Sequence, residues 1–352
     1  MQKYITGIQQ IGIGVADVHE AFRWYRKNFG FDIRIFEEEA EVTLMLPYTG
    51  GKTWKRHAIL ALNLNGGGGL EIWQYKSRTP QPSSFQPQLG DLGIFSARVK
   101  TTDVKKTFLQ FKEKKLSLIG EVEKDPSGSE HFFVKDPFGN IFQFATEREW
   151  FCKKSFMNGG ASGAIIGVSD IEKAKKLYCG ILGYSEIVYE KEGVFEDLKS
   201  IPGGNHRFRR VLMRHPAPRS GGFARLLGST HIELVQALDY SPRKIFENRF
   251  WGDPGFIHLC FDIIGMNHLR KECEVGGFPF RVDSANSFDM GEAAGHFSYI
   301  EDPDGTLIEF VETHKVPILK KLGIYLNLKN RNPKKDLPNW MVKSLSMRRV
   351  KD

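Results

Sequence analysis

Residues 10–31 read QIGIGVADVHEAFRWYRKNFGF, and the fold turns on them. Ile11, Ile13 and Val15 alternate with Gly12 and Gly14, the period-two pattern of a strand with one buried face. Asp17 stands in N-cap position, where its carboxylate can accept the free N–H groups of a first helical turn. Val18, Phe22, Tyr25 and Phe29 then recur every three or four residues, the apolar stripe of a helix lying on a sheet. Gly30 suits the left-handed position just past a helix end. Residues 163–184, GAIIGVSDIEKAKKLYCGILGY, repeat the same order 153 residues later, with Asp170 and Gly183 in place of Asp17 and Gly30.

A second pair of segments matches. FFVKDPFGNIFQF (132–144) parallels SYIEDPDGTLIEF (298–310), each two short strands joined by Asp-Pro-x-Gly. Pro presets φ for the turn and Gly tolerates the positive φ at its end. Each hairpin follows its own strand and helix. The chain therefore divides into four units, roughly 5–76, 92–148, 160–238 and 254–314, each reading β-α-β-β-β. Units one and three carry insertions at 49–57 and 201–222. His206, Arg207, Arg209 and Arg210 make the second insertion basic and read as a solvated loop. The run Gly66–Gly69 lies between strands rather than between a strand and a helix, so it does not read as a phosphate loop.

The chain has 352 residues, 50 Lys/Arg and 42 Asp/Glu, for a formal charge of +8. Residues 317–352 hold ten of the basic residues and only two of the acids, so this extension carries the whole excess. The rest is electrically balanced, which argues against a nucleic-acid surface on the body. The extension also carries Leu337, Trp340, Met341 and Leu345, apolar enough to dock rather than float. No run of apolar residues is long enough for a membrane helix. The first residues show no secretory h-region, and the four Cys have no CxxC spacing, so a cytoplasmic, disulfide-free protein is expected.

The segments GIGVADVHEAFRWYRKNFGF, GVSDIEKAKKLYCGILGY and YIEDPDGTLIEF together resemble the vicinal-oxygen-chelate superfamily. That group includes glyoxalase I, methylmalonyl-CoA epimerase, extradiol dioxygenases and the fosfomycin and bleomycin resistance proteins. The resemblance implies an α+β fold of four βαβββ modules forming two half-open mixed β-barrels. With neighbouring modules paired, residues 1–150 form an N-terminal metal-free domain. Residues 151–316 form a C-terminal domain with the metal site, and 317–352 a basic docked extension.

The resemblance also implies ligand positions, one on the first and one on the last strand of each module. In this chain they are Gln10, Glu71, Ser96, Gln143, Gly163, Glu233, His258 and Glu309. Adjacent pairing points to His258, Glu309 and Glu233 as metal ligands, with His231 as a further donor and Glu309 or Glu233 as the catalytic carboxylate. Pairing of units one and four assembles Gln10, Glu71, His258 and Glu309 instead. The implied cofactor is a divalent metal ion, with Zn, Ni, Fe, Mn and Co all open. The implied protein is an enzyme acting on a small substrate with vicinal oxygens, by lyase, isomerase or epimerase chemistry at a metal-stabilised enediolate. Alternatives are a ring-cleaving dioxygenase, which departs from this sequence at Gly163, and a non-catalytic drug-binding protein. The expected partner is a small-molecule substrate, with no nucleic acid and no membrane; a homodimer is open. His206, His215 and His296 read as loop residues on the surface, and Cys260 as a packed core thiol.

Overall fold

The computed structural model describes residues 2–152, 157–284, 288–289, 294–319, 324–328 and 331–351. Leu322 of the extension lies outside the described residues. Module one runs β1 (Tyr4–Gly14), α1 (Val18–Phe29), β2 (Ile33–Val42), β3 (Trp54–Leu62) and β4 (Gly69–Tyr75). Module two runs β5 (Gly93–Thr101), α2 (Val104–Glu113), β6 (Ser117–Lys124), β7 (Glu130–Lys135) and β8 (Ile141–Thr146). In module three, β9 (Asn158–Gly167) leads to α3 (Ile171–Lys175), which passes into a π-helical turn at Lys176–Ile181. Then come β10 (Glu186–Gly193), β11 (Phe208–Arg214), the short α4 (Ala224–Leu227) and β12 (His231–Ala237). Module four runs β13 (Gly255–Ile264), α5 (Met266–Val275), β14 (Val282–Asp283), β15 (Phe288–Asp289), β16 (Ala294–Glu301) and β17 (Leu307–Thr313). Among the described residues, no helix is long and apolar enough to cross a membrane.

The caps form as the sequence suggests. Asp17 Oδ1 accepts from Glu20 N at 2.9 Å, and Asp170 Oδ1 from Glu172 N and Lys173 N. Gly30 adopts φ 79° and ends α1. Module four departs from the pattern, since Gly265 stands at the cap with φ 91° and no side chain to offer.

The modules pair crosswise. Modules one and four share one curled mixed sheet, in the order β14-β16-β17-β13-β1-β4-β3-β2. Modules two and three share the other, in the order β10-β11-β12-β9-β5-β8-β7-β6. The division into barrels at 1–150 and 151–316 is therefore corrected. Within each module the first and last strands run parallel, and two first strands join antiparallel at the centre: β1 with β13, and β5 with β9. Helices α1, α2, α3 and α5 contribute to one shared core, where Phe29 stacks on Phe111 with ring centroids 5.8 Å apart.

Two devices join the sheets. Gly68 N donates to Ala161 O and Ala161 N to Gly68 O, at 2.7 and 2.8 Å. A Cβ on Gly67 would lie 2.8 Å from the Gly160 carbonyl carbon, so the glycine run serves close backbone approach. The second device repeats. Tyr25 of α1 donates to Asp136 of module two at 2.5 Å, and Tyr178, its counterpart in module three, to Asp302 of module four at 3.0 Å. Each Asp belongs to an Asp-Pro-x-Gly turn, where it also accepts backbone N–H groups. The buried Asp of a turn in one sheet is thus tied to a helix of the other.

The extension forms β18 (Lys315–Leu319), β19 (Ile324–Asn327) and α6 (Asn339–Lys343). Leu337 and Val342 are buried in a cluster with Ile33, Leu62, Leu64 and Leu226. The last residues run beside β2, the edge of its sheet: Val350 N donates to Asp32 O at 2.9 Å and Arg348 Nη1 to Ile35 O at 2.5 Å. They satisfy edge groups that would otherwise be open to association. Leu337→Ala is expected to cost about 2–3 kcal/mol, because it leaves a cavity in this cluster; the denaturant midpoint measures it.

Candidate metal centre

Three strands next to one another and the parallel neighbour of β1 carry the central group. Gln10 lies on β1, Glu71 on β4, His258 on β13 and Glu309 on β17. His258 Nε2 stands 3.1 Å from Glu309 Oε2 and 3.2 Å from Glu71 Oε2. Gln10 Nε2 donates to Glu71 Oε2 at 3.1 Å and reaches Glu309 Oε2 at 3.5 Å. The His258 side chain is fully buried. Among the described residues, neither of its ring nitrogens makes a well-aligned hydrogen bond, and Gln10 Oε1 has no partner either.

Backbone chemistry creates the room. Gly12 of β1 faces His258 across the antiparallel pair, and a Cβ there would lie 2.4 Å from Cε1 of the imidazole. Gly12→Ala should push the ring out of place and lower metal affinity at least about tenfold; a titration with Zn2+ tests this.

The electrostatics follow from burial. Burial alone lowers the His258 pKa, but the pull of Glu309, with that of Glu71, outweighs it and raises His258 to about 9. Two carboxylates in a buried pocket demand positive charge nearby, and the imidazole supplies it. Burial, Glu309 and Glu71 push the Tyr299 phenol well above its ordinary value. Burial, aided by Glu309, does the same to Cys260, so that thiol stays protonated and is not a nucleophile.

The group lies at the floor of a cavity of about 370 Å³. Its walls are Trp73, Trp251 and Tyr299, with Phe36, Glu38 and Arg56 from β2 and β3 toward the rim. Trp251 lies nearly parallel to the His258 ring, at 14° with centroids 6.2 Å apart, and Tyr299 meets it edge-on. Residues 42–45 also line the cavity, and none of 201–222 does. The second insertion contains strand β11, which carries Arg209 and Arg210, and the first runs into β3.

Glu233 is not part of this group, which corrects its reading as a ligand and as the catalytic carboxylate. It lies on β12 in the other sheet, where Oε1 accepts from Arg210 Nε at 2.7 Å and Tyr189 Oη at 2.8 Å. Arg210 Nη1 bonds both oxygens of Asp197, at 2.8 and 3.0 Å, and Asp197 meets His131 Nε2 at 3.2 Å. Burial disfavours the charged Arg210, but Glu233, Tyr189 and Asp197 more than offset it and raise its pKa. The corresponding positions nearby are equally committed. Gln143 accepts from Arg98 at 3.3 Å, His231 Nδ1 approaches Glu147 at 3.0 Å, and a Cβ on Gly163 would meet His231 O at 2.0 Å. Ser96 is buried, its hydroxyl 3.4 Å from the Ala97 carbonyl. Two buried guanidiniums, Arg98 on β5 and Arg210 on β11, hold the carboxylates of this sheet. His296 also departs from expectation: it sits buried in β16, 2.5 Å from Asp283.

The donor set fits a divalent ion. It offers one imidazole, two carboxylates and an amide oxygen, with orphaned buried polar atoms and an open cavity above them.

Comparisons agree with this architecture. The profile of the Glyoxalase/Bleomycin resistance protein/Dioxygenase superfamily matches residues 7–144 and 162–310. Glyoxalase I from Zea mays is similar in structure, with TM-score 0.53 and 13% identity over 88% of this chain and 92% of that one. A putative dioxygenase from Bacillus subtilis superposes with TM-score 0.57 and 13% identity, over 88% of this chain and 86% of that one. No curated protein sequence matches significantly.

Proposed function

We propose a function from one premise: this chain belongs to the Glyoxalase/Bleomycin resistance protein/Dioxygenase superfamily. It is a metal-dependent enzyme acting on a small molecule with two neighbouring oxygens, of lyase, isomerase or epimerase type. The observation that carries the reading is the convergence of Gln10, Glu71, His258 and Glu309 on one buried point under an aromatic-walled cavity. These four residues would hold a divalent cation, which when bound supplies Lewis-acid polarisation of the substrate oxygens.

The chain's own groups do the rest. Gln10 Nε2 lies 3.1 Å from Glu71 and 3.5 Å from Glu309, and Glu309, on the last strand of module four, is the carboxylate assigned as the base. It takes the proton from a carbon next to a carbonyl and returns it. Trp73, Trp251 and Tyr299 exclude water and present flat apolar faces to the substrate. The single imidazole in the donor set favours this chemistry over oxygen activation at a site of two His and one carboxylate.

Glu309→Gln keeps the shape and removes the base. Across a panel of vicinal dicarbonyl, hydroxycarbonyl and catechol substrates, it is expected to lower kcat about 10²–10⁴-fold. A purified protein without a stoichiometric divalent ion, together with ligand binding unchanged in Glu309→Gln, would overturn the reading.

A further inference from the structure

The outer face of module one carries a second convergence of metal-binding side chains. His19 projects from the first turn of α1, Glu37 from β2 and His57 from β3. Their donor atoms all lie within 4.8 Å of one another. His57 Nε2 stands 3.2 Å from Glu37 Oε1, and His19 Nδ1 stands 3.7 Å from the same oxygen. Ligands of a tetrahedral ion with bonds near 2.0–2.2 Å lie about 3.3–3.6 Å apart, so small side-chain movements suffice.

A fourth residue sets the chemistry of the pair. Glu39 lies directly opposite His57 across the β2–β3 ladder, with Oε1 3.3 Å from His57 Nδ1. In the metal-free protein His57 Nε2 meets Glu37 Oε1; where an ion takes the place of the Nε2 proton, a carboxylate beside Nδ1 holds the remaining proton there. This is how a carboxylate behind a histidine orients it toward a metal and raises its basicity. His57 is buried and His19 is half exposed, so the ring that needs orienting is packed and the outer one can close. Arg34 pairs with Glu37 Oε2, which leaves Oε1 for the ion.

We propose that His19, Glu37 and His57 form a second metal site, for a late first-row divalent ion such as Zn2+, oriented by Glu39. Two imidazoles and one carboxylate suit Zn, Cu or Ni and not the all-oxygen coordination that Ca or Mg needs. The site joins α1 to the β2–β3 hairpin. Phe36, Glu38 and Arg56 on that hairpin line the large cavity. Filling the site therefore stiffens the wall of the cavity without touching its floor.

The test is Zn2+ titrated by calorimetry into the metal-stripped full chain at pH 7.5, with Co2+ absorption as a second probe. In a His258→Ala background, the protein should bind Zn2+ at the outer site. His19→Ala should weaken that event at least tenfold, His57→Gln should abolish it, and Glu39→Gln should weaken it about 10–100-fold. His19 is exposed on a helix surface, so its variant keeps the fold. Zn2+ should also raise the melting temperature of the His258→Ala protein and not of His57→Gln/His258→Ala. Zn2+ uptake and melting that are indifferent to His19→Ala and His57→Gln would overturn the proposal. Loss of one ion with His19→Ala, and none with His258→Ala, would uphold this site and sink the catalytic reading instead.

Discussion

His258→Ala is expected to weaken divalent-ion binding at the inner site by about 100-fold or more and to erase metal-dependent stabilisation there. Measured in a His57→Gln background, only this site reports. The argument rests on where His258 sits: its Nε2 is a ring nitrogen between two carboxylates, 3.1 and 3.2 Å away. Losses of about 10–100-fold are typical when only a partner behind a ligand is removed, so loss of a ligand itself should meet or exceed the upper end. An ion at 100 times its dissociation constant adds about 2.7 kcal/mol to the folded state. His57→Gln should show that gain as a higher melting temperature, and His57→Gln/His258→Ala should not. The variant has a second consequence. Without the imidazole, Glu71 and Glu309 face each other with no cationic side chain between them. An unchanged metal-induced melting shift in the double variant would mean that the ion binds elsewhere.

Much of this centre was legible because it follows local order. His258 and Glu309 occupy fixed places in a repeated module, and the register of strand, helix and hairpin locates them without knowledge of the fold. Asp17 and Asp170 likewise cap their helices through contacts two or three residues away. Module pairing was not legible, because it is decided between strands far apart in the chain. β1 accepts β13, some 250 residues later, partly because Gly12 clears the imidazole of His258. Both pairings were open on sequence, and only the crosswise one brings Gln10 and Glu71 to His258. The Tyr25–Asp136 and Tyr178–Asp302 ties carried a weak signal: each Tyr recurs at the same place in its helix and each Asp in the same turn. Read alone, Tyr25 looked like one more apolar-stripe residue. Glu233 was misread for a different reason. Its register matches that of Glu71, but its partner Arg210 sits in a segment that reads as a basic loop. In β11, alternation sends Arg209 outward to Glu172 and Glu190 and turns Arg210 inward. The apolar neighbours Phe208, Val211 and Leu212 were the available sign of a strand.

Arg210→Leu is accordingly expected to destabilise the protein by about 3–5 kcal/mol, the scale for removing one partner of a buried ion pair. The guanidinium is fully buried between Glu233 and Asp197 and lies over the Phe195 ring, 4.6 Å from its centroid. Leu fills part of the volume but leaves two buried carboxylates without a cation. The melting temperature should fall by about 5–10 °C. Two controls separate charge from packing. Arg210→Lys keeps the charge but cannot bridge Glu233 and Asp197 with a planar fork, so it should recover only part of the loss. Arg210→Leu combined with Glu233→Gln and Asp197→Asn removes the stranded charges and should recover most of it. The same comparison addresses why this sheet carries a guanidinium where its partner sheet gathers donors. Arg210 satisfies the carboxylate on β12 internally, while Glu71 on β4 faces Gln10 and His258 instead. If Arg210→Leu melts within about 1 °C of the unaltered protein, Arg210 is not the counter-ion that keeps Glu233 and Asp197 buried.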